Sequence, residues 1–149
     1  MTAYYEFKKN DILIIGIDFD GTCCLHAYPN IGKSIGAESV LKSLIENGHN
    51  LILYTLRHDC PETGIDYLTQ AVNWFEEKDI PLYAIQRDPE QDNWTSSSKL
   101  AAQLYIDDAN LGIPLKWDFK ISKKPFVDWV AVRELLIKQR IIKPEISNI

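Results

Sequence analysis

Residues 14–22 read Ile14-Ile15-Gly16-Ile17-Asp18-Phe19-Asp20-Gly21-Thr22, an apolar run that stops abruptly at two carboxylates. Asp11 to Asp18 is short, rich in Ile and too brief for a helix, so it reads as a buried strand of the kind found at the centre of a parallel sheet. A strand that ends in paired acids delivers them to the edge of that sheet. Because Asp18 and Asp20 lie two positions apart, their side chains point the same way while the chain stays extended.

The downstream elements define the sheet. Residues 23–37 carry Pro29, Gly32 and Gly36 and read as a loop or small flap. Glu38 to Asn47 places Val40, Leu41, Leu44 and Ile45 at helical spacing, with Gly48 as the stop. Leu51 to Tyr54 is a second apolar strand, and Ile65, Leu68, Val72 and Phe75 then recur at helical spacing until Asp79-Ile80-Pro81 closes that helix. Leu82 to Ile85 reads as a third strand. Leu104-Tyr105-Ile106 reads as a fourth, again ending in paired acids, Asp107-Asp108. Phe126, Trp129, Val130 and Leu136 predict a last amphipathic helix, with a fraying tail from Lys143. Alternating strands and helices predict an α/β fold, a three-layer Rossmann-like parallel sheet with helices on both faces. Ligands in such sheets bind beyond the carboxyl ends of the strands, where Asp18, Thr55 and Asp107 each follow a strand.

The chain has 149 residues, which suits one compact domain over 1–149 able to bury roughly 70% of its unfolded surface. Its composition, 46% hydrophobic and 25% charged, is that of a folded globular protein. Cys23, Cys24 and Cys60 are odd in number and lack metal-ligand spacing, which points to a reducing cytoplasm and to cysteines that only pack. Asp18 cuts the apolar run short of a signal segment or a membrane span. Net charge is −5, with 8 Lys+Arg against 4 Asp+Glu from Lys116 onward. This basic section reads as a solvated helix surface, since no dense basic run or aromatic–basic alternation marks a nucleic-acid platform. The overall acidity further disfavours nucleic acid as a partner.

Two close carboxylates repel unless a cation sits between them. Magnesium prefers oxygen ligands, commonly one or two carboxylates with waters and a substrate phosphate, and Asp107 or Asp108 would complete the set. That points to phosphate chemistry, in which positioning and charge neutralisation dominate. Thr55 offers a hydroxyl, Lys99 a compact cation, and Gly21 close approach of the backbone to a ligand.

The order IDFDGT, LILYT, Lys99 and YIDD resembles the four signature motifs of the haloacid dehalogenase-like superfamily, spread over residues 14 to 112. The stretch from LYTLR through AVNWF to KLAAQLYIDDANLG is most similar to its small capless phosphatase-like members. The resemblance implies a magnesium-dependent phosphatase that hydrolyses a phosphate monoester through an aspartyl-phosphate. Asp18 would be the nucleophile, and Asp20 the acid that protonates the leaving oxygen and then activates water. Thr55 and Lys99 would bind the phosphoryl group. Asp107 would hold magnesium with Asp18 and the main-chain carbonyl of Asp20, while Asp108 would be a direct ligand or a neighbour of one. An acid at position 20 matches the phosphatase pattern rather than that of the dehalogenases or transport ATPases.

Neither the span from Thr22 to Thr55 nor that from Thr55 to Lys99 has room for a cap domain. An open site suits a large phosphorylated substrate, or shielding by another subunit of a homo-oligomer. The other readings are a non-catalytic magnesium- and phosphate-binding module on the same fold, and a phospho-receiver domain, for which Thr55 stands where an acid is expected. Arg57, two residues past Thr55, is either a contact to a distal phosphate or a surface arginine. His26 and His58 are either substrate contacts from the loops or, more simply, structural or incidental residues.

Overall fold

The computed structural model describes residues 11–145. In chain order the elements are β1 (Ile14–Ile17), α1 (Ala37–Glu46), β2 (Asn50–Leu53), β3 (Asp59–Cys60), β4 (Ile65–Asp66), α2 (Tyr67–Glu77), β5 (Ala84–Ile85), β6 (Leu104–Ile106), β7 (Leu115–Lys116), β8 (Phe126–Val127) and α3 (Trp129–Lys138). Two 3-10 turns, Pro61–Thr63 and Gln91–Asn93, complete them. The central sheet has the order β5-β2-β1-β6 and is parallel throughout. The fold is α/β. The pairs β3-β4 and β7-β8 are short antiparallel hairpin ladders outside that sheet.

Alternation along the strands divides the core. Ile15, Ile17, Leu51 and Leu53 join one apolar cluster with Val40, Leu41 and Leu44 of α1, Trp74 and Phe75 of α2, and Val132 and Leu136 of α3. Gly16 faces the other way, where Leu100, fully buried, covers it from the loop between β5 and β6. That loop is held by Gln91, a fully buried side chain whose Nε2 donates to the Lys99 carbonyl (2.6 Å) and whose Oε1 accepts the Ala101 N–H (2.9 Å).

Two helix starts differ from the apolar spacing, for a reason visible in their caps. Asp59 accepts the N–H groups of Leu68 and Thr69, both at 3.0 Å, and the Thr69 hydroxyl at 2.6 Å, so α2 begins at Tyr67 and Ile65 is left in β4. Asp128 accepts the Ala131 N–H at 3.2 Å, so α3 begins at Trp129 and Phe126 falls in β8. Val130, expected on the buried face of α3, is 70% exposed. The third strand is shorter than read, since Leu82 and Tyr83 precede it.

Between β1 and β2 the chain forms only a flap and α1, so no cap domain is inserted there. At the opposite edge a cavity of about 930 Å³ opens beside His49, with Asp11 and Glu145, the first and last described residues, in its walls. Among the described residues no helix is long and apolar enough to cross a membrane.

A Cβ at Gly16 would lie 2.9 Å from the Leu100 side chain and 3.1 Å from the Tyr105 ring. Gly16→Val is therefore expected to cost about 1–3 kcal/mol by overpacking, measured by urea unfolding. Adding Leu100→Val to that variant should cost less than the same change does in the wild type.

Candidate functional site

Strand register builds the site. Ile17 of β1 is paired with Leu53 of β2 on one side and with Ile106 of β6 on the other. The next residues of three parallel strands therefore emerge together, with the Asp18 N–H donating to the Ile106 carbonyl (3.0 Å) and the Tyr54 N–H to the Ile17 carbonyl (2.8 Å). Strand order also reverses at β1, with β2 and β5 to one side and β6 to the other, which is where open α/β sheets form their ligand crevice. A cavity of about 640 Å³ opens there, lined by Asp18, Asp20, Thr55, Arg57, Asp107 and Asp108. His26, Tyr28, Tyr54 and Leu56 complete most of its wall.

Asp18, Asp107 and Asp108 each bring one carboxylate oxygen within 4.8 Å of the others. Burial pushes the Asp18 carboxyl up to about 8, helped by the Asp107 charge and opposed by the Thr22 hydroxyl. Burial, together with a hydrogen bond to Asp108, also raises Asp107. Burial thus disfavours the charged forms of Asp18 and Asp107, and an all-oxygen donor set of three carboxylates is of the kind that fits magnesium. The Asp20 carboxylate does not belong to this group. The metal role implied for Asp20 runs through its main-chain carbonyl, and its side chain turns to Arg57.

Thr22 was not singled out in the sequence, yet it organises two of the three acids. Fully buried, its hydroxyl donates to Asp18 Oδ2 (2.7 Å) and accepts the Asp108 N–H (3.0 Å). The chain leaves β1 in a tight turn, with the N–H groups of Thr22 and Cys23 both on the Phe19 carbonyl (3.1 and 2.8 Å), and this folds Thr22 back onto Asp18. The signal available was a hydroxyl residue four positions after Asp18.

Arg57 departs from both readings of it, as a phosphate contact and as a surface residue. Its side chain is fully buried. Nε and Nη2 donate to the two oxygens of Asp20 at 2.8 Å each, Nη2 also to the Asn30 carbonyl (2.9 Å), and Nη1 to the carbonyls of Pro29 (3.0 Å) and Tyr67 (3.2 Å). All five guanidinium hydrogens are committed, so none is left for a substrate phosphate. The Phe19 and Tyr28 rings lie 5.0 and 5.2 Å from the guanidinium carbon. Arg57 thus neutralises Asp20 and ties the flap to the start of α2.

Thr55 lies where expected. Its main chain is fixed on both sides by Gln86, which accepts the Thr55 N–H (2.9 Å) and donates to its carbonyl (2.6 Å), while its hydroxyl accepts the Arg57 N–H (3.1 Å). Lys99 does not join the group. It is exposed on the loop before β6 and does not line the cavity, because the two Gln91 bonds fix the chain path there. Nor does Gly21 line it. Gly21 has φ of +79°, and a Cβ there would strike the His26 ring at 2.2 Å, so the glycine makes room for His26. His26 is part of the site, its Nε2 3.3 Å from Asp108 Oδ2 and 3.1 Å from the Pro125 carbonyl. His58 packs edge-on against Tyr67. Cys23 and Cys24 are buried, and burial pushes both thiols up, as suits packing residues.

Two outcomes are expected. With Asp18 titrating at about 8 in the folded chain against an ordinary 3.8, the folded form holds an extra proton between those values, so stability falls as pH rises from about 4 to about 8. In chelator, Asp18→Asn should melt above wild type at pH 8 and near it at pH 4, and magnesium should narrow the gap at pH 8. Arg57→Met leaves Asp20 and three carbonyls without their donors and should cost about 3 kcal/mol or more in urea unfolding.

No family model and no curated protein matches the chain. A solved structure of a conserved protein from Bacteroides thetaiotaomicron is similar over most of both chains, with 33% identity, coverage of 87% of this chain and 93% of that one, and a TM-score of 0.68. At that identity and coverage, the chain belongs to the same family as that conserved protein of Bacteroides thetaiotaomicron.

Proposed function

We propose that the chain is a magnesium-dependent phosphatase of the haloacid dehalogenase-like type, hydrolysing a phosphate monoester through an aspartyl-phosphate on Asp18. The observation that carries this reading is the convergence of Asp18, Asp107 and Asp108 at the strand-order switch, with Asp20 and Thr55 in the same cavity. Asp18 attacks phosphorus in line. The ester P–O bond breaks as the Asp18–phosphorus bond forms, and the departing oxygen takes a proton from Asp20, which must first be released by Arg57 and enter this step protonated. Asp20 then takes a proton from water, whose oxygen displaces Asp18 and releases inorganic phosphate. Thr22 holds Asp18 in place, Arg57 favours the ionised Asp20 that takes the proton from water, and the Thr55 hydroxyl binds a phosphoryl oxygen. Magnesium, which Asp18, Asp107 and Asp108 would hold, supplies positive charge against the phosphoryl oxygens and favours ionised Asp18. Lys99 is left out of this assignment, since it is exposed on the loop before β6 and is not among the residues that line the cavity.

The position of Lys99 favours one other reading, a non-catalytic magnesium- and phosphate-binding module. The two are separated by hydrolysis of p-nitrophenyl phosphate. Turnover should require magnesium, fall about a thousandfold or more in Asp18→Asn, and fall about a hundredfold or more in Asp20→Asn. Beryllofluoride with magnesium should raise the melting midpoint of wild type by roughly 5–10 °C and leave Asp18→Asn unmoved. A magnesium-dependent shift without turnover of any ester would leave the binding module.

A further inference from the structure

Only part of the basic section that reads in sequence as a helix surface is on a helix, Arg133 and Lys138 of α3. Lys116 ends β7, and Lys120, Lys123 and Lys124 lie between β7 and β8, well before α3 begins at Trp129. All four are exposed, with one acid, Asp118, among them. The same segment displays Trp117 (65% exposed), Phe119 (73%) and Ile121 (55%). Trp117 and Phe119 sit side by side, ring centroids 6.0 Å apart and tilted by 51°. The segment is braced by the N–H groups of Ile121 and Ser122 on the Asp118 carbonyl (3.2 and 3.0 Å), and by the Ser122 hydroxyl on that of Lys124 (2.7 Å). Folding has left two large aromatic rings in water among four lysines.

The base of this arm is fastened to the candidate site. The Val127 N–H donates to the Gly21 carbonyl (3.0 Å), one residue past Asp20. The Pro125 carbonyl meets His26 Nε2 (3.1 Å), and His26 in turn touches Asp108. The site it adjoins is uncapped, with Leu56 fully exposed at its wall and Tyr28 half exposed.

We infer that the arm from Lys116 to Lys124 binds single-stranded nucleic acid, and that the phosphorylated end of such a strand is what enters the cavity. The second clause rests on the phosphatase reading; the first does not. Single strands are held by aromatic faces on which bases stack and by cations that follow the backbone phosphates, and the arm supplies both. The acidity of the rest of the chain argues against wrapping a duplex, but not against one strand led along a short basic arm.

The test uses the full chain carrying Asp18→Asn, with magnesium, and a fluorescent dodecathymidylate bearing a terminal 3′-phosphate, followed by anisotropy from 50 to 200 mM salt. Four lysines on phosphates predict a slope of log affinity against log salt of about −3. Lys120→Glu, Lys123→Glu and Lys124→Glu together should flatten it to about −1. Trp117→Ala with Phe119→Ala should weaken binding about fivefold or more while keeping the slope. None of these residues lines the cavity, so with Asp18 intact the same variants should hydrolyse p-nitrophenyl phosphate as wild type does. Affinity indifferent to every arm substitution would overturn the inference. So would oligonucleotide binding being absent while the arm variants instead dissolve a dimer seen by sedimentation, or abolish binding to phosphatidylserine vesicles. Oligonucleotide binding without ester hydrolysis would sink the phosphatase reading and leave the arm's role standing.

Discussion

The pairing of Ile17 with a neighbour on each side is the constraint from which the rest of the site follows. Parallel strands in register bring their next residues out at one level, so the carboxylates after β1 and β6 are neighbours before any side-chain contact is made. Shifting β1 by one residue would turn Ile15 and Ile17 away from the helices and would move Asp18 away from Asp107 and Asp108. The apolar core and the acidic edge are therefore fixed by the same register.

Collecting four acids at one edge creates repulsion, and the fold answers it in two ways. Asp20 is neutralised inside the protein by Arg57, a buried cation whose every hydrogen is used. Among the described residues no arginine or lysine pairs with Asp18, Asp107 or Asp108, whose partners are the Thr22 hydroxyl, the Ala109 N–H and His26. Asp18 therefore leans towards its protonated form, and a divalent cation is the natural counter-charge. Arg57 also closes the flap over the edge through the Pro29 and Asn30 carbonyls, so charge balance at Asp20 and the position of the cavity wall are one interaction.

Much of this was legible in the sequence. The Ile-rich run ending at Asp18, the helical spacing of Val40, Leu41 and Leu44, and the second pair of acids after Leu104-Tyr105-Ile106 are local patterns. Local patterns survive into the structure because burial selects them directly. Thr55, Asp107 and Asp108 were found for that reason, since each follows a strand. Arg57 and Lys99 were both read by charge, and nothing in the sequence says where a long side chain is taken. The Asn30 and Pro29 carbonyls that bury Arg57 lie 27 and 28 residues away, and no local pattern marks the Gln91 that fixes the loop at Lys99.

The sequence by itself determined the order of the central strands and the helices, the parallel sheet and the edge at which the acids collect, because these depend on the period and sign of neighbouring residues. Only the tertiary structure decided which acids stand together and which is neutralised, that Thr22 and His26 belong to the site, and that the lysines after Lys116 form an exposed arm. Those outcomes depend on contacts between residues far apart in the chain, such as Thr22 with Asp108 and His26 with Pro125. A carboxylate's environment is set by what folding brings beside it, and no local pattern encodes that.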